Sequence, residues 1–242
     1  REYQINLAIA EIAIGVVVLP QLSKQIKKKK KDKILLIQNK ALELSLFLSL
    51  PASIALLIAS EEIISALFGY GSFDQVSAFN SGKALYFFAL GLPAFSLIKV
   101  FSSFFFANHD TKTPFYISLI SVLANILISI YYFNVIGFII IPIATAISSW
   151  LNALLLFIFL KNRNLFYFHG VFLINFVKIV VASLLMGAFF NFLIIYFQKE
   201  LSFDQNLKSF YLILSVLLSL CFYLIVSYWI KAFKMSEFKL KY

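Results

Sequence analysis

Seven long stretches of the chain carry little charge: roughly Ile5 to Leu22, Ala41 to Ser60, Ala84 to Ala107, Phe115 to Phe133, Val135 to Leu160, Val171 to Phe197 and Phe210 to Ile230. A bilayer's hydrocarbon core is about 30 Å thick, so a helix rising about 1.5 Å per residue crosses it with about 20 apolar residues. Each stretch is close to that length. In lipid the backbone has no water to bond, so its N–H and C=O groups must pair within the segment, as they do in a helix. Barrel strands are the other solution, but they are short and alternate apolar with polar positions. The run Leu151-Asn152-Ala153-Leu154-Leu155-Leu156-Phe157-Ile158-Phe159-Leu160 does not alternate. The pattern predicts an all-α fold, a polytopic membrane helical bundle of seven transmembrane helices.

Composition closes off the other classes. Of 242 residues, 62% are apolar and 13% are charged, where a soluble domain has roughly 45–50% and 25%. The mean hydropathy is +0.91. A soluble core of this size cannot hide so much apolar surface. The net charge of +10 would suggest a nucleic-acid patch if it were spread over a soluble surface. Instead, eight of the 21 lysines and arginines lie between Lys24 and Lys40, in the gap between two apolar runs. That is a cytoplasmic loop beside anionic lipid, and no nucleic-acid partner is expected.

Counting Lys and Arg in alternate gaps sets the orientation. The gaps after runs one, three, five and seven hold fifteen; the others hold only Lys83, Lys199 and Lys208. By the positive-inside rule the C-terminus is cytoplasmic and Arg1 enters from the outer side. The chain opens almost directly into its first apolar run, which points to a missing upstream part.

Catalytic chemistry finds no footing. There is one cysteine, Cys221, and the two histidines, His109 and His169, are far apart, so neither a disulfide nor a metal centre is expected. No nucleophile elbow, zinc-protease or phosphate-loop motif occurs. Glu61 and Glu62 are adjacent and point in different directions on a helix, which argues against a paired-carboxylate site. No enzyme, catalytic residue or cofactor is expected.

Charges inside the apolar runs are costly there and therefore informative. They include Arg1, Glu11, Lys99 and Lys178. Lys178 and Lys99 lie about eight residues from a cytoplasmic gap, a distance a lysine stem can partly span. Glu11 is deeper and requires a polar cavity, a cation or a proton. Arginine at position 1 offers a flat fork of donors suited to phosphate, and interface anchoring is the other use for it. In run four, Ser118, Ser121, Asn125 and Ser129 share one helical face, and run five adds Thr145, Ser148, Ser149 and Asn152. Such a seam serves either as interhelical glue or as a weak cation site of hydroxyl and amide oxygens. Pro51, Pro93 and Pro142 fall within runs, as shape adjustments or as hinges of a rocking bundle.

Three stretches together resemble one family. They are REYQINLAIAEIAIGVVVLPQLSK (Arg1 to Lys24), LFGYGSF (Leu67 to Phe73) and ALGLPAFSLIKVFSSFFFANHDTKTP (Ala89 to Pro114). The last is the most specific, similar to a family pattern "GLPAF…KVL…FYA..DT.TP". The family is that of the MurJ (MviN) lipid II flippases, in the multidrug/oligosaccharidyl-lipid/polysaccharide exporter superfamily. The resemblance weakens in the last two runs.

The resemblance implies a fourteen-span protein of the bacterial cytoplasmic (inner) membrane, with the seven runs matching its eighth to fourteenth spans. It implies a second-lobe bundle over residues 1–160, and over 161–242 two terminal spans forming a lipid-tail groove with a basic cytoplasmic tail. The substrate it implies is lipid II, undecaprenyl-pyrophosphoryl disaccharide-pentapeptide, moved from the inner to the outer leaflet by alternating access. Partners are then membrane lipids and the missing N-terminal lobe. Arg1 matches a cavity arginine, and Glu11 and Lys99 join it as candidate substrate contacts. Asn125, Ser129 and Thr145 form the candidate cation site; a coupling cation or the membrane potential would drive the cycle. Departures are Ala8 and Glu11, where the family has small glycines, Ser129, which lacks a carboxylate, and His109 in place of a common Gln. The rival readings are another polysaccharide-lipid flippase or drug/cation antiporter of the superfamily, and a non-transporting half-protein.

Overall fold

The computed structural model describes residues 18–168 and 170–232. Among these residues every regular element is helical. We number the α-helices α1 (Leu19–Lys27), α2 (Lys31–Ile58), α3 (Ser60–Phe68), α4 (Gln75–Ala107), α5 (Lys112–Ile136), α6 (Ile140–Asn162), α7 (Gly170–Tyr196) and α8 (Lys208–Trp229). The first predicted span falls mostly outside the described residues. The other six fall on α2, α4, α5, α6, α7 and α8. Four of these are long and apolar enough to cross a membrane as they stand, and α5 with α6 forms a 51-residue apolar stretch, Lys112–Asn162, divided at Gly137–Ile139.

Two helices start well before their apolar runs. α2 begins at Lys31, so Lys31, Asp32 and Lys33 are helical, and Asp32 lies in the first turn, where the helix dipole favours an acid. α4 begins at Gln75, nine residues ahead of Ala84, because Asp74 Oδ1 accepts the Ser77 N–H at 2.8 Å and starts the helix in the polar zone. Hydropathy marks where a helix enters lipid; capping marks where it starts. Two short helices, α1 and α3, carry no hydropathy signal of their own, and Pro20 sits in the first turn of α1.

The chain divides into two compact units, each discontinuous in sequence. One comprises Arg1–Ser49 and Leu90–Ile174, the other Leu50–Ala89 and Asn175–Tyr242. This division follows packing, and the boundary expected after residue 160 is a functional one that packing does not address.

In the first unit, α5 and α6 form a tight hairpin. Gly137 turns it with φ +73°, a conformation costly for any residue with a Cβ. α6 turns small residues inward, including Ala144, Ala146, Ser148, Ser149 and Ala153, which lets the helices approach closely. Only 11% of the hairpin's most apolar window is buried, against 50% for α4, so its large side chains face outward. Rings fill the interior near the end of α6: Phe104 stacks on Phe166 at 5.9 Å, and Phe166 meets Phe168 edge-on at 5.0 Å.

In the second unit, Ile64, Ala78 and Leu85 make a small core covered by Leu56, Ile63, Phe73 and Phe203. α8 is arranged inside-out: Ser215, Ser219, Tyr223 and Ser227 are buried, whereas Phe210, Ile213, Leu217, Leu220 and Leu224 are exposed along one stripe. An apolar stripe facing outward and hydroxyls facing inward suit a helix whose solvent is lipid. Within the span, Ser215 and Ser219 bond carbonyls one turn back on their own helix, so neither hydroxyl is left without a partner.

A proline of α4 is compensated in the same way. Pro93 has no N–H, so the carbonyl of Ala89, four residues earlier, loses its helical donor. The Ser53 hydroxyl donates to that carbonyl at 2.7 Å.

Candidate functional site

The serine and asparagine face of α5 meets α6 as the spacing predicts. Asn125 Nδ2 donates to Thr145 Oγ1 at 3.1 Å and to Ser148 Oγ at 3.3 Å. Thr145 in turn donates to the Ile141 carbonyl at 2.8 Å, and Ser149 donates to the Thr145 carbonyl at 2.6 Å. One turn from Asn125, the Ser129 hydroxyl is buried and has no partner. Of the expected cation trio, the structure therefore joins Asn125 to Thr145 and leaves Ser129 apart. The trio contains no carboxylate. The amide directs its donors at the hydroxyls, which is the arrangement of interhelical glue, while the Ser129 oxygen remains free to accept or coordinate.

Further along the seam, Asn152 Nδ2 reaches Ser118 Oγ at 3.5 Å, and its Oδ1 is buried without a partner. The polar line thus runs for several turns, with its acceptors only partly used.

Lys99 lies partly buried in the last third of α4. Arg1 and Glu11 lie outside the described residues. Lys178 Nζ is 3.5 Å from the Lys231 carbonyl, just past the end of α8, so its stem carries the charge toward a helix end.

Three anchors escape a reading of the sequence. Lys208 counts as an outer-loop cation by sequence, yet only 1% of it is exposed. Its ammonium donates to the Gly69 and Phe203 carbonyls, both at 2.6 Å. It also lies 4.6 Å from the Tyr70 ring centre and 4.3 Å from that of Phe203. Beside it, the Ser209 hydroxyl donates to the Ala66 carbonyl and pairs with Tyr70 Oη. The LFGYGSF stretch is thereby pinned to the start of α8.

In the first unit, Asp110 accepts the Thr113 N–H at 3.0 Å and the Thr113 hydroxyl at 2.7 Å, and it pairs with Arg163. Burial alone would raise the Asp110 carboxyl, but the Thr113 bonds and the Arg163 guanidinium outweigh it and hold it below the usual range. Gln38 and Asn39 donate to the Leu165 and Tyr167 carbonyls at 2.9 and 3.0 Å, tying α2 to the segment after α6. Adjacent amides near the start of a span, Gln38-Asn39, are the only sequence signal for that tie.

Comparison with known proteins accounts for this architecture. The family model described as lipid II flippase MurJ matches residues 1–211. The chain is 34% identical over 230 residues to the probable lipid II flippase MurJ of Rhizobium tropici, covering 94% of this chain and 43% of that protein. It is 37% identical over 188 residues to the Rhizobium meliloti (strain 1021) counterpart, covering 78% of this chain and 35% of that one. A solved lipid II flippase MurJ in an inward closed conformation superposes with a TM-score of 0.74 at 26% identity, over 94% of this chain and 44% of that one. The chain thus spans less than half the length of the relatives it matches. By the extent of the family match and the shared helical fold, it is a multi-pass inner-membrane protein belonging to the lipid II flippase MurJ family.

Proposed function

We propose that this chain forms the C-terminal lobe of a lipid II flippase, which carries the undecaprenyl-pyrophosphoryl precursor from the inner to the outer leaflet. The observation that carries this reading is the family match over residues 1–211, joined to a superposition covering nearly the whole chain. The protein makes and breaks no covalent bond. The barrier is the transfer of a pyrophosphate and sugars through hydrocarbon, and a polar cavity between two lobes lowers it. In this reading the second lobe needs its N-terminal partner lobe and membrane lipids to work.

Arg1 binds the pyrophosphate through its fork of donors. Glu11 and Lys99 shape the same cavity. The polyprenyl tail stays in lipid and along α7 and α8, where the outward stripe of α8 supplies apolar contact. The C-terminus is cytoplasmic, in keeping with the lysine distribution. Drive comes from the membrane potential, about 2.3 kcal/mol per charge per 100 mV, or from a cation at Asn125, Ser129 and Thr145. The unpartnered Ser129 oxygen supports the cation, and the absence of a carboxylate in the trio makes it a weak site.

The test is complementation with the complete protein. Arg1→Ala, expressed at the normal level, is expected not to support growth when the host's own lipid II flippase is depleted. Normal growth would remove Arg1 from the substrate site.

A further inference from the structure

A cavity of about 260 Å³ lies entirely within the second unit, among α3, the start of α4, the end of α7 and the segment after it. Its polar lining includes the carboxylates Glu61 and Glu62, the Ser65 hydroxyl and the carboxamides Gln75 and Gln198, while Ile194 and Leu201 give it apolar walls. Among the described residues no lysine, arginine or histidine lines it, so two acids share the pocket without a described counter-charge.

The pocket is built rather than incidental. A Cβ on Gly82 of α4 would lie 2.9 Å from Glu61 Cα, so only glycine lets α4 press against the first turn of α3 and fix Glu61 there. Ser65, one turn on, is only 5% exposed, and its hydroxyl has no partner. Burial, with the neighbouring Glu61 charge adding to it, raises the Glu62 carboxyl above its ordinary range. Among the described residues, Glu61 is the only other titratable group in the lining.

We propose that this pocket binds a primary ammonium group carried on a short alkyl stem. An ammonium has three N–H donors and no acceptor. The two carboxylates and the Ser65 oxygen supply three acceptors and the missing charge balance. The apolar walls take the stem. A bare metal ion is a poorer fit: the volume equals that of about nine waters at about 30 Å³ each, and among the described residues no three acidic, histidine or cysteine side chains are grouped so as to hold a metal ion. The ammonium comes from a soluble amine or from an aminophospholipid headgroup. The inference does not depend on the transport reading.

The full chain in detergent, titrated with n-propylammonium chloride against tetramethylammonium chloride at matched ionic strength, tests it by thermal unfolding. Propylammonium is expected to raise the melting temperature and tetramethylammonium is not. The apparent Kd should weaken at least tenfold in Glu62→Gln and several-fold in Ser65→Ala. Binding should strengthen as pH rises through the Glu62 titration. Glu61→Gln, at an exposed position, serves if Glu62→Gln fails to fold. Native mass spectrometry of protein taken from mixed phosphatidylethanolamine and phosphatidylcholine bilayers separates the sources. A Glu62-dependent ethanolamine-lipid adduct identifies the headgroup, and its absence alongside propylammonium binding identifies a soluble amine. Equal responses to both salts, a response to calcium alone, or affinity unchanged in the carboxylate variants overturns the proposal.

Discussion

Lys208 and Arg163 each tie the end of a membrane helix to a loop, and they do so under opposite electrostatic conditions. Lys208 is sealed from water and meets two backbone carbonyls and two aromatic faces. Arg163, with its side chain 46% exposed, meets one carboxylate whose own side chain is 21% exposed. A buried ammonium without a counter-ion carries a large desolvation cost, so its stability depends wholly on oriented carbonyl dipoles and ring quadrupoles. An exposed pair loses little hydration and gains little attraction. The contrast teaches that a cation's position in the loops says nothing of its energetic weight; the dielectric around it does.

The sharpest way to break the comparison is Lys208→Met, which keeps the stem and removes the charge. The Gly69 and Phe203 carbonyls then lose a charge-assisted donor inside a closed site. We expect a loss of about 3 kcal/mol, from bonds to a charged group worth roughly 1.5–3 kcal/mol each less the recovered desolvation. Equilibrium unfolding in mixed detergent micelles reads it directly. A loss below about 0.5 kcal/mol would place Lys208 energetically beside Arg163 and erase the distinction.

A neutral version of the Lys208 arrangement sharpens it further. Ser53 donates to the Ala89 carbonyl that Pro93 leaves without its helical N–H. Ser53→Ala should cost about 1 kcal/mol, the scale of an interhelical hydroxyl bond in a bilayer. In a Pro93→Ala background the restored N–H satisfies Ala89, so Ser53→Ala should then cost close to nothing. The double-mutant cycle measures the coupling. Additive losses would show that Ser53 has no role in repairing the proline.

The same contrast marks what a sequence can reveal. The six described spans were legible because lipid imposes one simple pattern, a long apolar run. The Asn125–Thr145 bond was legible because both partners are polar side chains at helical spacing on consecutive spans. Lys208 was not, since its partners are backbone carbonyls, one of them 139 positions away, and backbone groups leave no trace in residue identity. Ser53 was hidden for the same reason, although Pro93 itself announces that the Ala89 carbonyl needs a donor. The early start of α4 was missed because the Asp74 cap, not hydropathy, sets it. The cavity of Glu61 and Glu62 was hidden too: their adjacency argues against a paired site, and only the close approach at Gly82, with the end of α7 alongside, makes a pocket around them.

The smallest expected effect lies at Asp110 and Arg163, and there pH gives the better readout. The Asp110 carboxyl is held below its ordinary range in the folded protein, through Thr113 and Arg163. An unfolded aspartate titrates near about 3.9. A carboxylate lowered by folding contributes stability above that unfolded value, and the contribution disappears as pH falls through the folded one. Arg163→Ala should therefore cost about 0.5 kcal/mol at pH 7, in the range of exposed pairs, and less in high salt. As pH falls below the unfolded value and on through the lower folded one, Asp110 becomes protonated and the difference should shrink toward zero. Thr113 holds the same carboxylate at 3.0 and 2.7 Å, so Asp110→Asn should exceed Arg163→Ala in cost, because it disturbs the start of α5 as well as the ion pair. Matched unfolding curves from pH 7 down through the folded-state titration of Asp110 decide it: an Arg163→Ala penalty that persists undiminished at the acid end would assign its contribution to the packing of the guanidinium over Phe105, 6.0 Å away, rather than to charge.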